Sequence, residues 1–407
     1  MKNNIFWLIA DKSLSIVISF LSTYIISNSL GVGSFAIYSY NISILLILLA
    51  FSRLGLNQLL ITRFTGKSNV KGLFFNGICI KILSQLFFLV VFYIAFFRVD
   101  ERIDYLFFIV SFFYFLEIYD FYFTSLRRFD VISKVKIFIN IASLFIRWIL
   151  FIYEKDLSYF LLSYLFQFLG FYFILFFLGS KRIIIRSSKC NITWSRITVL
   201  LSKTAPLWIA SLSTSIFMQV DQLMIAHLST NHELGIYSLS VNIINQLNMF
   251  TVVFCGFMLP YLRANYLKDR YGFFRYWYNI NILVFFGLMI LSFFLYNVYP
   301  FLIKFWSEDF HNSKYVFEIL VLILPLVFLN LSIYNYNVII GRSRLNMYSA
   351  ILGCIVNLIL NYLLIPSYGA KGAAFSSVVS YFIITFVFYF FADRNIVFGD
   401  YFVEKDI

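Results

Sequence analysis

Residues 278–300, YNINILVFFGLMILSFFLYNVYP, run for 23 positions without a charged side chain. An α-helix needs about 20 apolar residues to cross the hydrocarbon core of a bilayer, so this stretch reads as a membrane span. The rest of the chain reads the same way. Of its 407 residues 61% are hydrophobic, 22% aromatic and only 13% charged, whereas a soluble domain carries about 25% charged residues. A soluble enzyme is excluded, and the chain is read as a polytopic membrane protein. Apolar runs bounded by charges, Gly, Pro or Asn predict twelve spans: 5–27, 35–56, 73–97, 104–124, 133–153, 158–178, 204–229, 235–260, 278–300, 315–339, 345–365 and 370–392. The first is not read as a cleaved signal, because Asp11 and Lys12 interrupt it.

A net charge of +13 would suggest nucleic acid in a soluble chain, but in a membrane protein the cations gather in cytoplasmic loops. Sorted by side, 23 of the 32 Lys and Arg fall with both termini and the loops carrying Arg53 to Lys71, Arg127 to Lys136, Lys181 to Lys203, Arg263 to Arg275, and Arg342 and Arg344; six fall opposite. Both termini are therefore expected to be cytoplasmic. Three cations remain at membrane depth: Lys12, Lys81 and Arg147. The charge is thus absorbed by topology, and no nucleic-acid partner is implied. Cys79, Cys190, Cys255 and Cys354 form no CxxC pair and have no adjacent His, so neither disulfide, metal nor cofactor is read from them.

The chain divides into halves. We expect an N-terminal lobe at 1–180 (helices one to six), a cytoplasmic basic connector at 181–203, a C-terminal lobe at 204–393 (helices seven to twelve) and a cytoplasmic tail at 394–407. Span one carries Asp11, Ser15, Ser19 and Ser22 at spacings 4, 4 and 3, and span seven carries Ser211, Ser215, Gln219 and Gln222 at the same spacings. Each set lies on one helical face. Similar turns follow, GVGSFAIYSY at 31–40 and ELGIYSLS at 233–240, and the basic turns LRRFD and GRSRL precede spans five and eleven. This pattern predicts two pseudo-symmetric six-helix lobes around a central cavity, related by an axis along the membrane normal.

Particular stretches carry a family resemblance. NLILNYLLIPSYGAKGAAFSS at 357–377, APLWIASLSTSIFMQVDQLMIAHLSTNHELGIYSLSVNI at 205–243, GVGSFAIYSY and RLGLNQLLITRF resemble the polysaccharide biosynthesis, or O-antigen flippase (Wzx-like), branch of the multidrug/oligosaccharidyl-lipid/polysaccharide (MOP) exporter superfamily. The resemblance implies a MATE-like fold. It also implies translocation of an undecaprenyl-pyrophosphate-linked oligosaccharide across the bacterial inner membrane, with H+ or Na+ as coupling ion, membrane lipid as surroundings and the glycan polymerase as a further partner.

Charges at membrane depth generally face a cavity or a partner. Arg147 shares a face with Lys136, Asn140 and Ser143; a guanidinium grips phosphate bidentately, and the alternative is a salt bridge to an acid of span four. Lys12 either offers a cation to a lipid pyrophosphate or is compensated by Asp11 near the interface. Lys81 is a cavity cation or a partner for Glu117 or Asp120, which are themselves candidate ion sites. Asp221, two turns inside the outer end of span seven, reads as a proton or Na+ site or as a buried acid bonded to Asn or Ser of span eight, where Asn242, Asn245 and Asn248 point one way. In drug-exporting relatives acids of helices one and seven have ion roles, which the resemblance carries to Asp11 and Asp221. Asn330, Tyr334 and Asn337, and Asn357 and Asn361, suit sugar hydroxyls or interhelical hydrogen bonds.

Two other functions compete with the flippase. Cation-coupled drug export would prefer a cavity without Lys12 and Arg147. A membrane glycan polymerase or acyltransferase would carry a large outer loop or a compact catalytic cluster, and here the loops are short and the three histidines scattered.

Overall fold

The computed structural model describes residues 2–65, 70–96, 102–184 and 194–392. The middle of the connector, 185–193 with Cys190, and the tail 394–407 lie outside the described residues. Among the described residues all regular structure is helical, as a lipid-embedded backbone that must satisfy its own hydrogen bonds requires. In chain order the helices are α1 (Lys2–Arg53), α2 (Leu56–Thr65), α3 (Val70–Phe96), α4 (Tyr105–Val110), a 3-10 turn (Ser111–Glu117), α5 (Ile118–Ser125), α6 (Phe129–Ile152), α7 (Leu157–Ile184), α8 (Trp194–Leu228), α9 (Asn231–Lys268), α10 (Arg270–Leu302), α11 (Ser313–Leu320), α12 (Ile323–Ile339), α13 (Ser343–Phe382), a π turn (Ile383–Val387) and α14 (Phe388–Ala392).

The predicted spans map onto these helices, with two fusions. The apolar runs Ile9–Arg53 and Ser343–Ala392 hold 45 and 50 residues, each about twice what a crossing needs. Both are interrupted at a glycine with positive φ, Gly31 (67°) and Gly369 (54°). At the second break the chain doubles back: a Cβ on Gly372 would lie 2.6 Å from the Leu364 carbonyl oxygen, although eight residues of straight helix span about 12 Å. Each long run therefore contains two of the predicted spans. Span four is realised as α4, the 3-10 turn and α5. Span ten bends by 43° between Glu308–Leu320 and Ile323–Ile339. The short α2 was not foreseen from the apolar runs.

The chain forms two compact units, Met1–Leu30 with Ile37–Ser215, and Gly31–Ala36 with Ile216–Ile407. The division falls inside α8 and assigns the Gly31 turn to the second unit. In the first unit α6 packs along α7, and the Trp208 Nε1–H donates to the Phe51 carbonyl at 3.1 Å. In the second, α9 packs against α11 and α12, and Phe273, Trp277, Tyr336 and Tyr389 form an aromatic core.

Three of the stretches that carry the family resemblance meet inside the second unit. Thr230 caps α9 by accepting the Glu233 N–H at 3.2 Å. The Glu233 carboxylate in turn accepts the Ala370 N–H at 2.8 Å, immediately after the Gly369 break, where the interrupted helix leaves a backbone donor to be satisfied. Two residues on, a Cβ at Gly235 would stand 2.4 Å from the Val32 carbonyl oxygen. Glycine is required there by contact with backbone, which cannot move aside as a flexible side chain would. Gly235→Ala should therefore destabilise the second unit by about 1–3 kcal/mol, the usual cost of overpacking, read as a lowered unfolding temperature in detergent; an unchanged temperature would show that this contact is loose.

Candidate functional site

Most of the polar stripe of span one is buried: Asp11, Ser15 and Ser22 are each at most 5% exposed, and Ser19 is half-buried. It meets the polar face of α6 in the first unit. There a cleft of about 460 Å³ is lined by Asp11 and Lys12 of α1, Asp120 of α5, Lys136 and Asn140 of α6 and Gln167 of α7, with Tyr164, Phe168 and Tyr172 as its aromatic wall. Two cations and two carboxylates thus share one enclosure, which lowers the cost of holding each at depth. Among the described residues no ion pair within 4 Å engages Lys12, Lys136 or Asp120, so both ammonium groups remain available to a ligand.

Arg147 is not among the residues lining the cleft. It is 3% exposed, and its guanidinium donates to three neutral side chains: Nη1 to Ser22 Oγ at 2.9 Å, Nη2 to Gln167 Oε1 at 2.6 Å and Nε to Ser163 Oγ at 3.3 Å. No ion pair joins it to an acid of span four among the described residues. It fastens α6 to α1 and α7. From Gln167 the bonds continue: Gln167 Nε2–H donates to Asn140 Oδ1 at 2.9 Å, Asn140 Nδ2–H to Ser15 Oγ at 3.1 Å, and Ser15 Oγ–H to Asp11 Oδ1 at 3.3 Å. Sequence reasoning missed Gln167 and Ser163. Their signal is a pair of polar residues four apart in the otherwise apolar face of span six.

Lys81 has a different role. Its Nζ lies 2.5 Å from Glu117 Oε2, and Arg53 Nη2 lies 3.3 Å from Oε1 of the same carboxylate. Tyr114 closes the group by accepting from Arg53 Nε at 2.6 Å and donating to Glu117 Oε1 at 2.5 Å. The 3-10 turn explains the geometry, since it eclipses residues i and i+3 and so stacks Tyr114 on Glu117. Arg53, which the loop count assigned to topology alone, is a fourth cation reaching into this layer. The two acids of span four are therefore separated, Glu117 in an ion-paired lock and Asp120 on the cleft.

In the second unit Asp221 is 5% exposed and is held by neutral donors. Oδ2 accepts from the Tyr237 hydroxyl at 2.5 Å and from the Ser377 hydroxyl, while Oδ1 accepts from Asn361 Nδ2 at 2.6 Å. The partners come from α9 and α13, not from Asn242, Asn245 or Asn248. Asn361 also donates to Asn357 Oδ1 at 3.1 Å. Both asparagines are fully buried, so in this structure they present no surface to a sugar: a carboxylate at depth recruits the nearest amides. Asn337 is likewise buried, bonded to Asn346 Oδ1 at 2.7 Å and to the Tyr389 hydroxyl at 3.0 Å. Asn330 is half-buried and Tyr334 exposed.

The sequence profile of a family described as polysaccharide biosynthesis protein matches residues 1–265. The chain belongs to the polysaccharide biosynthesis protein family. Comparison with curated protein sequences finds no match. Among solved structures, the lipid II flippase MurJ in an inward closed conformation is similar over 98% of this chain and 89% of that one, at a TM-score of 0.76 and 13% identity. An inward-facing multidrug resistance transporter of the MATE family, a member of the MOP superfamily, is similar over 94% of both chains at 0.69 and 12%. The MATE multidrug transporter DinF-BH covers 98% of this chain and 96% of that one at 0.60 and 15%. This family member accordingly has the fold of MOP transporters, and the similar structures are those of flippases and transporters rather than enzymes.

The two acids of span four should separate in their response to neutralisation. Glu117→Gln strands Lys81 and Arg53 and should cost about 3–5 kcal/mol of stability. Asp120→Asn, with no ion pair to lose, should stay within about 0.5 kcal/mol of the parent. Thermal unfolding of the purified variants checks both; equal effects would refute the assignment of Glu117 to the lock and Asp120 to the cleft.

Proposed function

We propose that the protein is a flippase for undecaprenyl-pyrophosphate-linked oligosaccharide repeat units of the O-antigen or capsule type, acting in the bacterial inner membrane by ion-coupled alternating access. The observation that carries this reading is the first-unit cleft, where Lys12 and Lys136 stand unpaired beside the amides of Asn140 and Gln167. A pyrophosphate wants cations and N–H donors, and charge-assisted hydrogen bonds contribute about 1.5–3 kcal/mol each. The attached sugar wants amides and aromatic surface, which Tyr164, Phe168 and Tyr172 supply. With the basic loops and both termini cytoplasmic, the cleft serves the inner leaflet, where the substrate is loaded. The halves 1–180 and 204–393 are the moving lobes, and the glycan polymerase is the partner that receives the product.

Asp221 is the coupling acid in this reading. Its carboxylate, with the hydroxyl oxygens of Tyr237 and Ser377 against it and the Asn357 carbonyl on the same Asn361 amide that donates to it, offers an oxygen-rich setting for H+ or Na+. The runner-up, cation-coupled drug export, is favoured by one observation, the carboxylates Asp11 and Asp120 on the cleft wall. Energised vesicles that extrude a lipophilic cation only when the protein is present would turn the assignment to it.

In cells depleted of the protein, lipid-linked repeat units should accumulate on the inner leaflet. Single units exposed on the outer leaflet but left unpolymerised would instead identify a polymerase. Arg147→Ala should abolish surface glycan at normal protein level and Arg147→Lys should retain part of it, because one ammonium cannot reproduce three divergent N–H bonds. Asp221→Asn should leave transport insensitive to pH or Na+; full retention of that sensitivity would remove Asp221 from the coupling site.

A further inference from the structure

The four hydrogen bonds that connect Arg147 to Asp11 have a direction set by their ends. A guanidinium only donates and a carboxylate only accepts. Between them Gln167 must present its carbonyl to Arg147 and its N–H to Asn140, and Asn140 must present its carbonyl to Gln167 and its N–H to Ser15. The Ser15 hydroxyl must then point at Asp11. The atoms in contact follow that order, Arg147 Nη2 on Gln167 Oε1, Gln167 Nε2 on Asn140 Oδ1, Asn140 Nδ2 on Ser15 Oγ and Ser15 Oγ on Asp11 Oδ1, at 2.6, 2.9, 3.1 and 3.3 Å. Every interior member is both donor and acceptor, so each bond polarises the next. At one end stands a buried cation outside the cleft lining, and at the other a carboxylate on the cleft wall beside Lys12, facing Lys136 of α6 and Asp120 of α5.

We propose that Gln167, Asn140 and Ser15 are positioning residues that couple Arg147 to Asp11, so that the charge balance of the cleft is set by a cation that touches neither the cleft nor its ligand. The relay keeps Asp11 turned toward Ser15 and away from the ammonium groups of Lys12 and Lys136, which leaves those groups for an anionic headgroup. It also fixes both cleft-lining amides, each of which uses one N–H in the relay and has a second hydrogen to offer to phosphate or sugar oxygen. With the relay cut, Asp11 is free to swing onto a lysine and compete with the ligand. The inference rests on the reading of the cleft as the headgroup site.

Ser15 is the informative position, because it is 5% exposed, does not line the cleft and introduces no new charge when changed. With undecaprenyl pyrophosphate as the probe, binding to the full-length protein in lipid nanodiscs should weaken about tenfold in Ser15→Ala, the worth of one charge-assisted hydrogen bond, and return in Ser15→Thr. In an Asp11→Asn background Ser15→Ala should change binding less than twofold, because the group it orients has lost its charge. Gln167→Glu keeps an acceptor for Arg147 but loses the donor to Asn140, and should weaken binding while leaving the unfolding temperature at or above the parent's. A merely structural role would lower that temperature in each variant and leave the effects of Ser15→Ala and Asp11→Asn additive. Parent-like binding by Ser15→Ala, or full additivity with Asp11→Asn, overturns the relay alone. Failure of the parent protein to bind the probe overturns the headgroup reading, and the relay with it.

Discussion

A charged side chain at membrane depth is stranded unless the protein supplies its partners, since lipid offers neither water nor counter-ions and the penalty runs to several kcal/mol. This chain meets that constraint in three ways, and its architecture follows from them. Glu117 is paired outright with Lys81 and Arg53. Asp221 is wrapped by hydroxyl and amide donors from α9 and α13. Arg147 is distributed over three neutral side chains and, through them, joined to an acid. The first solution locks α1, α3 and the 3-10 turn together. The other two draw separate helices around a group whose charge stays uncancelled by any ion pair among the described residues.

The division of labour between the units is chemical. The first holds the unpaired ammonium groups and the amphoteric cleft. The second holds, among the described residues, one buried carboxylate, Asp221, surrounded by hydroxyl and amide donors. In the second unit the stretches that identify the family serve the backbone rather than the ligand. Glu233 satisfies the amide freed at the Gly369 break and Gly235 admits the Val32 carbonyl. These contacts hold the turns between spans, so the features most recognisable in sequence are the ones that set the scaffold, while the groups proposed to handle the substrate lie in less distinctive helices.

That separation explains what could be read in advance. Span positions were legible because twenty-residue apolar runs have few competing interpretations. The doubling back of spans eleven and twelve follows from GAKG, where glycine alone tolerates the break. The stripe of Asp11, Ser15, Ser19 and Ser22 was legible from its helical spacing, and the structure buries three of its members and leaves Ser19 half-buried. The far ends of the contacts were not. Nothing in the spacing of span six says that Gln167 reaches Arg147, or that Arg53 turns back toward Glu117, because such pairings join residues 20 and 64 positions apart and depend on how helices pack. Asn357 and Asn361 illustrate the same limit. Their common face was legible from the spacing, but its meeting with Asp221, 140 positions from Asn361, was not.

On the proposed reading, the first-unit cleft carries an anionic lipid headgroup across the bilayer by way of Lys12 and Lys136. The most direct test is translocation by purified protein in liposomes, with an undecaprenyl-pyrophosphate-linked disaccharide enclosed on the inner leaflet and its appearance outside followed by a membrane-impermeant glycan-modifying reagent. The parent protein should expose the disaccharide with time, and a Lys12→Gln, Lys136→Gln double variant of normal fold should leave it protected. Exposure by the double variant at the parental rate would show that Lys12 and Lys136 do not carry the headgroup.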